Sequence, residues 1–441
     1  MSSRAQPLEV AVADLRPGLY IQLELSWIDH PFPSSRFLIK NAEQIATLRG
    51  LGLTRVKVLA DRSDAQALAT LTPLAEAAAP MPAFEAPADP TVSQGTPAHL
   101  PPAEAAKQRH RELLQAQQAS LLRSQKLHGK AVQSWSAAMQ AAAQQPAVAA
   151  EIAGDLSAQL VSELHDGADT TVRVLSEAAG TGSVQHAINV TVLSLMLAQR
   201  LALPDTELQE VALGALLHDI GKQMLPENLR SMADNGGALA LRAEREHIAL
   251  GLRQGMAMRL PAKALRVIGQ HHELMDGSGL PQGLAGDEIC MAARVVAVAD
   301  RYDRLCNPRQ GGTGRTPHEA QALLYAQMRH QLDPQVLTAF IKLIGVYPPG
   351  SVVQLSDSRY ALVVATHPQQ PLKPTVLVHD AGIPRDEALL VDLLRAPNLG
   401  IRRSLHPQHL PRATLDYLSP GPRVHYYFAH ELAAAPLEAC A

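Results

Sequence analysis

Five histidines and two aspartates stand where helical periodicity would bury them. In SVQHAINVTVLSLML, His186, Val190, Leu193 and Leu197 share one face of a predicted helix. Taken alone, a histidine on such a stripe is most often a satisfied core residue. TELQEVALGALLHDIGK reads as a helix from about Thr206, with Gln209 completing a capping box. Its apolar stripe leads to His218 and Asp219, a pair that is costly to bury unless ligated or paired. Gly221 is read as the stop, and Lys222 places a cation beside the pair. His247, in REHIALG, is indistinguishable by itself from a residue on a solvated helix face. His271 and His272 end AKALRVIGQ and precede ELMDGSGLP, a turn-rich loop with Asp276, Gly277 and Gly279. Asp300, in AARVVAVADRYDRL, shares a face with Ala293, Val296 and Asp303, and a carboxylate buried there needs a cation.

Each signal is weak alone, but together they supply five imidazoles and two carboxylates. Such donors suit Zn, Mn, Fe, Co or Ni, and the absence of nearby thiolates disfavours a structural zinc site. Seven ligands are too many for one ion and fit two ions sharing a bridging aspartate. Two ions roughly 3.5–4 Å apart activate water and clamp phosphate oxygens in phosphoester hydrolysis. Lys222 would then stabilise developing charge or contact the phosphate.

The elements that must position these residues follow from the rest of the chain. Residues 8–61 alternate short strand signals, YIQLEL (20–25), RFLIK (36–40) and TRVKVLA (54–60), with one helix over 41–52. Eight Pro and eight Ala between Pro73 and Pro102 predict a disordered linker. Glu104 to Gln145 has no Pro and one Gly, which predicts one or two helices. Residues 146–345 read as helical throughout, and 350–430 revert to strands at SVVQLS (351–356), YALVVAT (360–366) and PTVLVHD (374–380). The expected organisation is a small α+β module at 1–65, a linker at 72–104 and a helical linker at 105–145. A helical metal-binding domain at 146–350 and a β-rich extension at 351–441 follow.

Composition narrows the function class. The 441 residues carry a formal net charge of −3, which gives no electrostatic case for DNA or membrane-surface binding. No apolar run approaches the roughly 18 residues of a membrane span. The amino terminus lacks the build of a signal peptide, and three cysteines exclude a disulfide framework, so a reduced, cytoplasmic protein is expected. The 18 histidines outnumber the 15 aromatic residues, and no Phe, Tyr or Trp occurs between Ser136 and Arg301.

The order His186, HDIGK (218–222), His247, HHELMDGSGLP (271–281), Asp300 resembles the HD-GYP family of the HD phosphohydrolase superfamily. The resemblance extends across about 180–345, including LIGVYPPGS (343–351). It implies an all-helical bundle that hydrolyses the second messenger cyclic di-GMP to linear pGpG or on to GMP. It also implies divalent metals, Fe or Mn first, with Ni, Co, Zn or Mg as alternatives. By position, His186, His218, Asp219 and Asp300 would hold one ion; Asp219 would bridge to a second held by His247, His271 and His272. Lys222 matches the family's phosphate-contacting lysine, and Arg309 matches a substrate-contacting arginine. Asp276 and Tyr302 are further substrate-contact candidates. LRPGLYIQL (15–23) and SWIDHPF (26–32) resemble the small domain that often precedes HD-GYP in proteobacterial proteins.

Four departures stand out. The tyrosine of the GYP signature is Leu280, between Gly279 and Pro281. The glutamate four residues before the first histidine in trinuclear members is Gly182, so two ions are expected. SMADNGG (231–237) replaces the usual Lys-Pro-Gly loop, and Gly312 replaces a basic residue. These changes motivate an alternative, a catalytically weak cyclic di-GMP receptor acting through partners such as diguanylate cyclase (GGDEF) proteins. A di-iron oxygenase on the same scaffold fits HDIGK and the glycine loop less well, and cyclic GMP-AMP is a further substrate candidate. A homodimer is also expected. With Leu280 in place of Tyr, base stacking falls to residues such as Tyr302 or Arg309.

Overall fold

The computed structural model describes residues 8–23, 32, 36–50, 53–69, 102–166, 170–175, 182–226, 229, 237–308, 314–367, 370–421 and 423–429. The segments 72–101, 231–236 and 309–313 lie outside them, so most of the linker, most of the altered loop, Arg309 and Gly312 do too, while the linker's expected end at 102–104 is already helical. Contacts divide the chain into two units, Met1–Lys107 and Gln108–Ala441.

In the first unit, β1 (Leu8–Ala11), β2 (Tyr20–Gln22), β3 (Arg36–Leu38) and β4 (Arg55–Val58) form an antiparallel sheet in the order β1-β4-β2-β3. Alternating residues supply its core: Val10 and Val12, Ile21, Val56 and Val58, closed by Ile45 and Leu48 of α1 (Ala42–Gly50). The short α2 (Ala65–Leu68) ends the unit's described elements.

The second unit begins on α3 (Pro102–Ala142), whose later turns are not a solvated linker. Leu127, Ala131, Trp135 and Ala138 are buried, and the Trp135 indole donates to the Leu216 carbonyl at 3.2 Å. The remaining helices are α4 (Pro146–His165), α5 (Gly182–Arg200), α6 (Asp205–Leu217), α7 (Gly237–Ala257) and α8 (Ala262–Gln270). They continue with α9 (Met291–Cys306), α10 (Pro317–Met328), α11 (Pro334–Ile344) and α12 (Arg412–Leu418). Every residue of α5 from Val184 to Ala198 is buried, so this helix is central, packed on α6, α9 and α11. A strict stripe is therefore an understatement of its burial. No helix among the described residues is long and apolar enough to cross a membrane.

A seven-stranded antiparallel sheet completes the unit: β5 (Thr171–Leu175), β6 (Val352–Leu355), β7 (Tyr360–Ala365), β8 (Thr375–Val378), β9 (Leu390–Asp392), β10 (Ile401–Leu405) and β11 (His425–Ala429). The reading of 146–345 as helical throughout is corrected here. TVRVL carries three β-branched residues, Thr171, Val172 and Val174, and pairs with β11 along its whole length, Thr171 with Ala429 through Leu175 with His425. Because its partners lie far along the chain, no local hairpin signal announces it. The compositional boundary at 350 thus runs through a shared sheet, with β11 packed against α5.

Candidate metal centre

Each candidate ligand is delivered by the end or the buried face of a helix. His186 lies one turn into α5, His218 is the C-cap of α6, and Asp219 opens the 3-10 turn Ile220–Met224 that carries Lys222. The expected capping box at the start of α6 is absent. Pro204 is the N-cap without a side-chain bond, and Gln209 instead donates to Ser157 Oγ at 2.6 Å. Gly221 does not simply stop the helix; a Cβ there would collide with the His247 carbonyl and the Gly251 amide, so glycine lets α7 approach. His247 consequently has no exposure, unlike a residue on a solvated face. His271 caps α8, His272 follows, and Asp300 sits without exposure on α9.

The seven residues converge into two adjoining groups, His186, His218, Asp219 and Asp300, and Asp219, His247, His271 and His272. In the first, His186 Nε2 lies 3.2 Å from His218 Nε2, 3.1 Å from Asp300 Oδ1 and 3.5 Å from Asp219 Oδ2. In the second, His247 Nε2 lies 3.5 Å from His271 Nε2 and 3.5 Å from Asp219 Oδ1. Asp219 thus turns one oxygen to each group.

The opposite nitrogens are occupied. Nδ1 of His218, His247 and His271 donates to the carbonyls of Ala215 (2.6 Å), Ala243 (3.3 Å) and Ile268 (2.9 Å), all in the preceding helical turn. His186 Nδ1 is 2.7 Å from Asp303 Oδ2. These bonds fix the tautomer that leaves the Nε2 lone pairs facing the centre. Asp300 Oδ2 is buried and has no hydrogen-bond partner among the described residues. Lone pairs crowded this closely, with a carboxylate oxygen left over, fit divalent cations.

From the protein's own charges alone, the electrostatics differ between the two groups. Burial alone would depress the His186 imidazole, but bonds to Asp219, Asp300 and Asp303 raise it to about 10. His247 and His271, with less carboxylate support, are held well below the usual range by burial and neighbouring cationic groups. Burial would raise Asp300, yet Arg304, His186 and His218 hold it well below the usual carboxylate range.

Family models match three consecutive parts of the chain. Residues 167–336 match the HD domain, 8–153 match a domain of unknown function (DUF3391), and 352–413 match a KOW domain associated with the HD domain. Residues 167–336 are thus an HD domain. The HD-GYP resemblance is borne out by its relatives. A cyclic di-GMP phosphodiesterase of Pseudomonas aeruginosa is 29% identical over 377 residues, 84% of each chain. A cyclic di-GMP phosphodiesterase response regulator of Xanthomonas campestris is 32% identical over 33% of this chain and 39% of its own. A 3'3'-cGAMP-specific phosphodiesterase of Vibrio cholerae is 30% identical over 37% of this chain and 35% of its own. The chain therefore spans most of the first relative and little more than a third of the other two.

Around the HD pair stand further residues that the sequence alone does not single out. Arg304, four residues after Asp300, places Nε 2.7 Å from Asp300 Oδ1 and lies 3.6 Å from Asp219 and 3.5 Å from Glu244. Glu244 Oε2 is 2.7 Å from His272 Nε2. Helical spacing from Asp300 and His247 was the available signal for both. Buried Glu273 receives the amides of Gln282 (2.7 Å) and Leu284 (2.9 Å), which shapes the glycine loop of the HD domain.

Other candidates fall differently. Lys222 is buried with Nζ 2.9 Å from Asp219 Oδ2, as expected. Gly279 is obligatory, because a Cβ would strike the Glu273 and Leu274 main chain, and the Leu280 amide donates to the His272 carbonyl at 3.0 Å. The peptide between Leu280 and Pro281 is cis. Asp276 is exposed and accepts from the Ser278 amide (3.0 Å) and hydroxyl (2.5 Å), an Asx turn that holds the loop. Tyr302 must be corrected as a stacking candidate. It has no exposure, its ring packs on Phe340, and its hydroxyl meets that of Tyr426 at 3.0 Å, so no base can reach it.

Proposed function

We propose that this chain is a metal-dependent phosphodiesterase that hydrolyses cyclic di-GMP to linear pGpG, with GMP formed if the second phosphodiester is also cut. The observation that carries the proposal is Asp219, whose two oxygens face two separate clusters of histidine nitrogens. One ion would be held by His186, His218, Asp219 and Asp300, and a second by Asp219, His247, His271 and His272. Bound there, divalent ions supply an acidified water and positive charge against phosphate oxygens. Fe or Mn suits this nitrogen–oxygen donor set first, with Ni, Co, Zn or Mg as alternatives.

The chain's own groups do the rest. Asp303 holds the His186 ring so that Nε2 faces the centre. Lys222 and Arg304 keep two cationic groups beside Asp219 and offer hydrogen-bond donors to a substrate phosphate. Glu273 and Gly279 fix the loop that carries Leu280 against His272. The count of two ions is supported at Gly182, one turn before His186. A Cβ there would run into the Arg423 guanidinium, so a cation stands where a third ion's carboxylate ligand would begin. Diguanylate cyclase (GGDEF) partners acting in trans, a homodimer and a cytoplasmic location belong to the same reading.

The test is hydrolysis by purified protein reconstituted with Mn or Fe(II) under reducing conditions, with products identified and 3'3'-cGAMP run in parallel. Turnover of cyclic di-GMP, abolished by His218→Ala and Asp219→Ala, is expected. Metal-loaded protein that binds the nucleotide without cutting it would overturn the enzyme and leave the receptor.

A further inference from the structure

Away from the metal centre, a cavity of about 150 Å³ lies between α3, the seven-stranded sheet and the segment leading into β11. That is the volume at which an apolar protein cavity accepts a benzene-sized molecule. Its walls include Leu121, Leu362, Leu377 and Leu390. Three arginines, Arg173, Arg385 and Arg423, also line it, and no carboxylate does so among the described residues.

Arg173 is the decisive member. It sits in β5, between Ala365 of β7 and Tyr427 of β11, and is only 2% exposed. Its guanidinium makes one hydrogen bond, NH1 to Ser120 Oγ at 3.3 Å, and Nε is buried with no partner among the described residues. Burial lowers it to about 10 without removing its charge at neutral pH. A buried cation that lacks a counter-ion is costly to the fold, and an anion beside it would offset that cost.

We propose that this cavity binds a small amphipathic monoanion, a carboxylate with a single aromatic ring or a short alkyl chain, whose head group pairs with Arg173 and whose body fills the leucine-lined space. Arg423 and exposed Arg385 give the cavity a cationic rim that favours an anion over a neutral molecule.

Calorimetric titration of the full chain with benzoate and with hexanoate tests this. Benzamide serves as the neutral isostere of benzoate, and acetate as a head group without a body. Saturable one-to-one binding of benzoate or hexanoate is expected, with benzamide and acetate at least tenfold weaker. The tighter of the two carboxylates identifies the body as ring or chain. Arg173→Met should weaken binding tenfold or more, the scale of a lost charged hydrogen bond. Ala388→Phe, which narrows the cavity and keeps the charge, should do the same. Thermal unfolding run alongside should show Arg173→Met as stable as the parent or more so, because it removes a buried charge that no carboxylate pairs with among the described residues. Failure of both carboxylates to bind, equal binding of benzamide, or unchanged binding by folded Arg173→Met overturns the proposal.

Discussion

Asp303 Oδ2 lies 2.7 Å from His186 Nδ1, and the other oxygen of the same carboxylate accepts from Asn189 (2.7 Å) and Asn307 (2.8 Å). The two amides reach further. Each also donates to the Val424 carbonyl, while the Asn307 oxygen accepts from the Val424 amide and the Asn189 oxygen from the Tyr426 amide. A ligand candidate is thus tied through one carboxylate to the main chain of the last described strand. Replacing Asp303 by Asn should lower metal affinity about 10–100-fold, as loss of a partner behind a metal-binding histidine does elsewhere. Competition with a chromophoric chelator measures this directly, and unchanged affinity would show that Asp303 does not orient His186.

Lys222 should separate metal binding from catalysis. Its Nζ lies beside Asp219 but brings no lone pair to a metal while protonated. Lys222→Met is expected to keep the parent metal content by elemental analysis. Turnover should fall by about 10²–10³, the scale of a lost electrostatic contact to the transition state. Loss of metal in this variant would instead make Lys222 a support of the centre.

Gly221→Ala should damage both the fold and the second ligand group. The added carbon meets the main chain of His247 and Gly251, which cannot move as a side-chain tip can. A cost of about 1–3 kcal/mol is expected from overpacking. Urea unfolding reads the stability loss, and elemental analysis should show one ion lost before the other.

The ion count has its own test. Wild-type protein should hold two ions, and Gly182→Glu should still hold two while Arg423 fills the adjoining space. Combining Gly182→Glu with Arg423→Ala should admit a third ion, counted by elemental analysis. Three ions in the wild type would contradict the reading of Gly182.

Buried His128 predicts an acid-side loss of stability that is independent of the metal. Burial, and then the charge of His425, lowers its imidazole from 6.5 to about 4. The unfolded chain therefore binds the proton more readily than the folded one. This contribution is fully present above about pH 6.5 and is lost progressively as pH falls toward 4. About 2 kcal/mol should be gone by pH 5. His128→Phe, which keeps a ring against Tyr427, should show a smaller drop in urea midpoint between pH 7.5 and 5 than the parent does.

The site is legible in the sequence where chemistry forces unusual residues into helices, and illegible where partners are distant. His218 and Asp219 after an apolar run, and His271 and His272 before a glycine loop, are too costly to bury without a shared purpose. Their convergence was therefore readable without coordinates. Arg304 and Glu244 were within reach through helical spacing, but an arginine four residues after an aspartate looks like an ordinary surface pair until burial is known. Strand β5 was missed because its pairing with β11 leaves no local trace. Tyr302 was misjudged for a related reason. Its phenol is satisfied by Tyr426, more than a hundred residues away, so a polar aromatic that seemed free for substrate is a core residue.

The pairing of Leu175 with His425 also sets a timetable. All seven metal-ligand candidates lie between those two residues, so this strand pair cannot form until His425 has left the ribosome. At roughly 5–20 residues per second, the nascent helices would wait on the order of ten seconds or more for their last strand. Through that interval His186 and Asp303 lack the Val424 anchor, and any ion captured early is held by an unfinished cage. Contacts this remote in sequence are slow to form. A chain interrupted before residue 424 would therefore contain every candidate ligand and still lack the Val424 contacts behind His186.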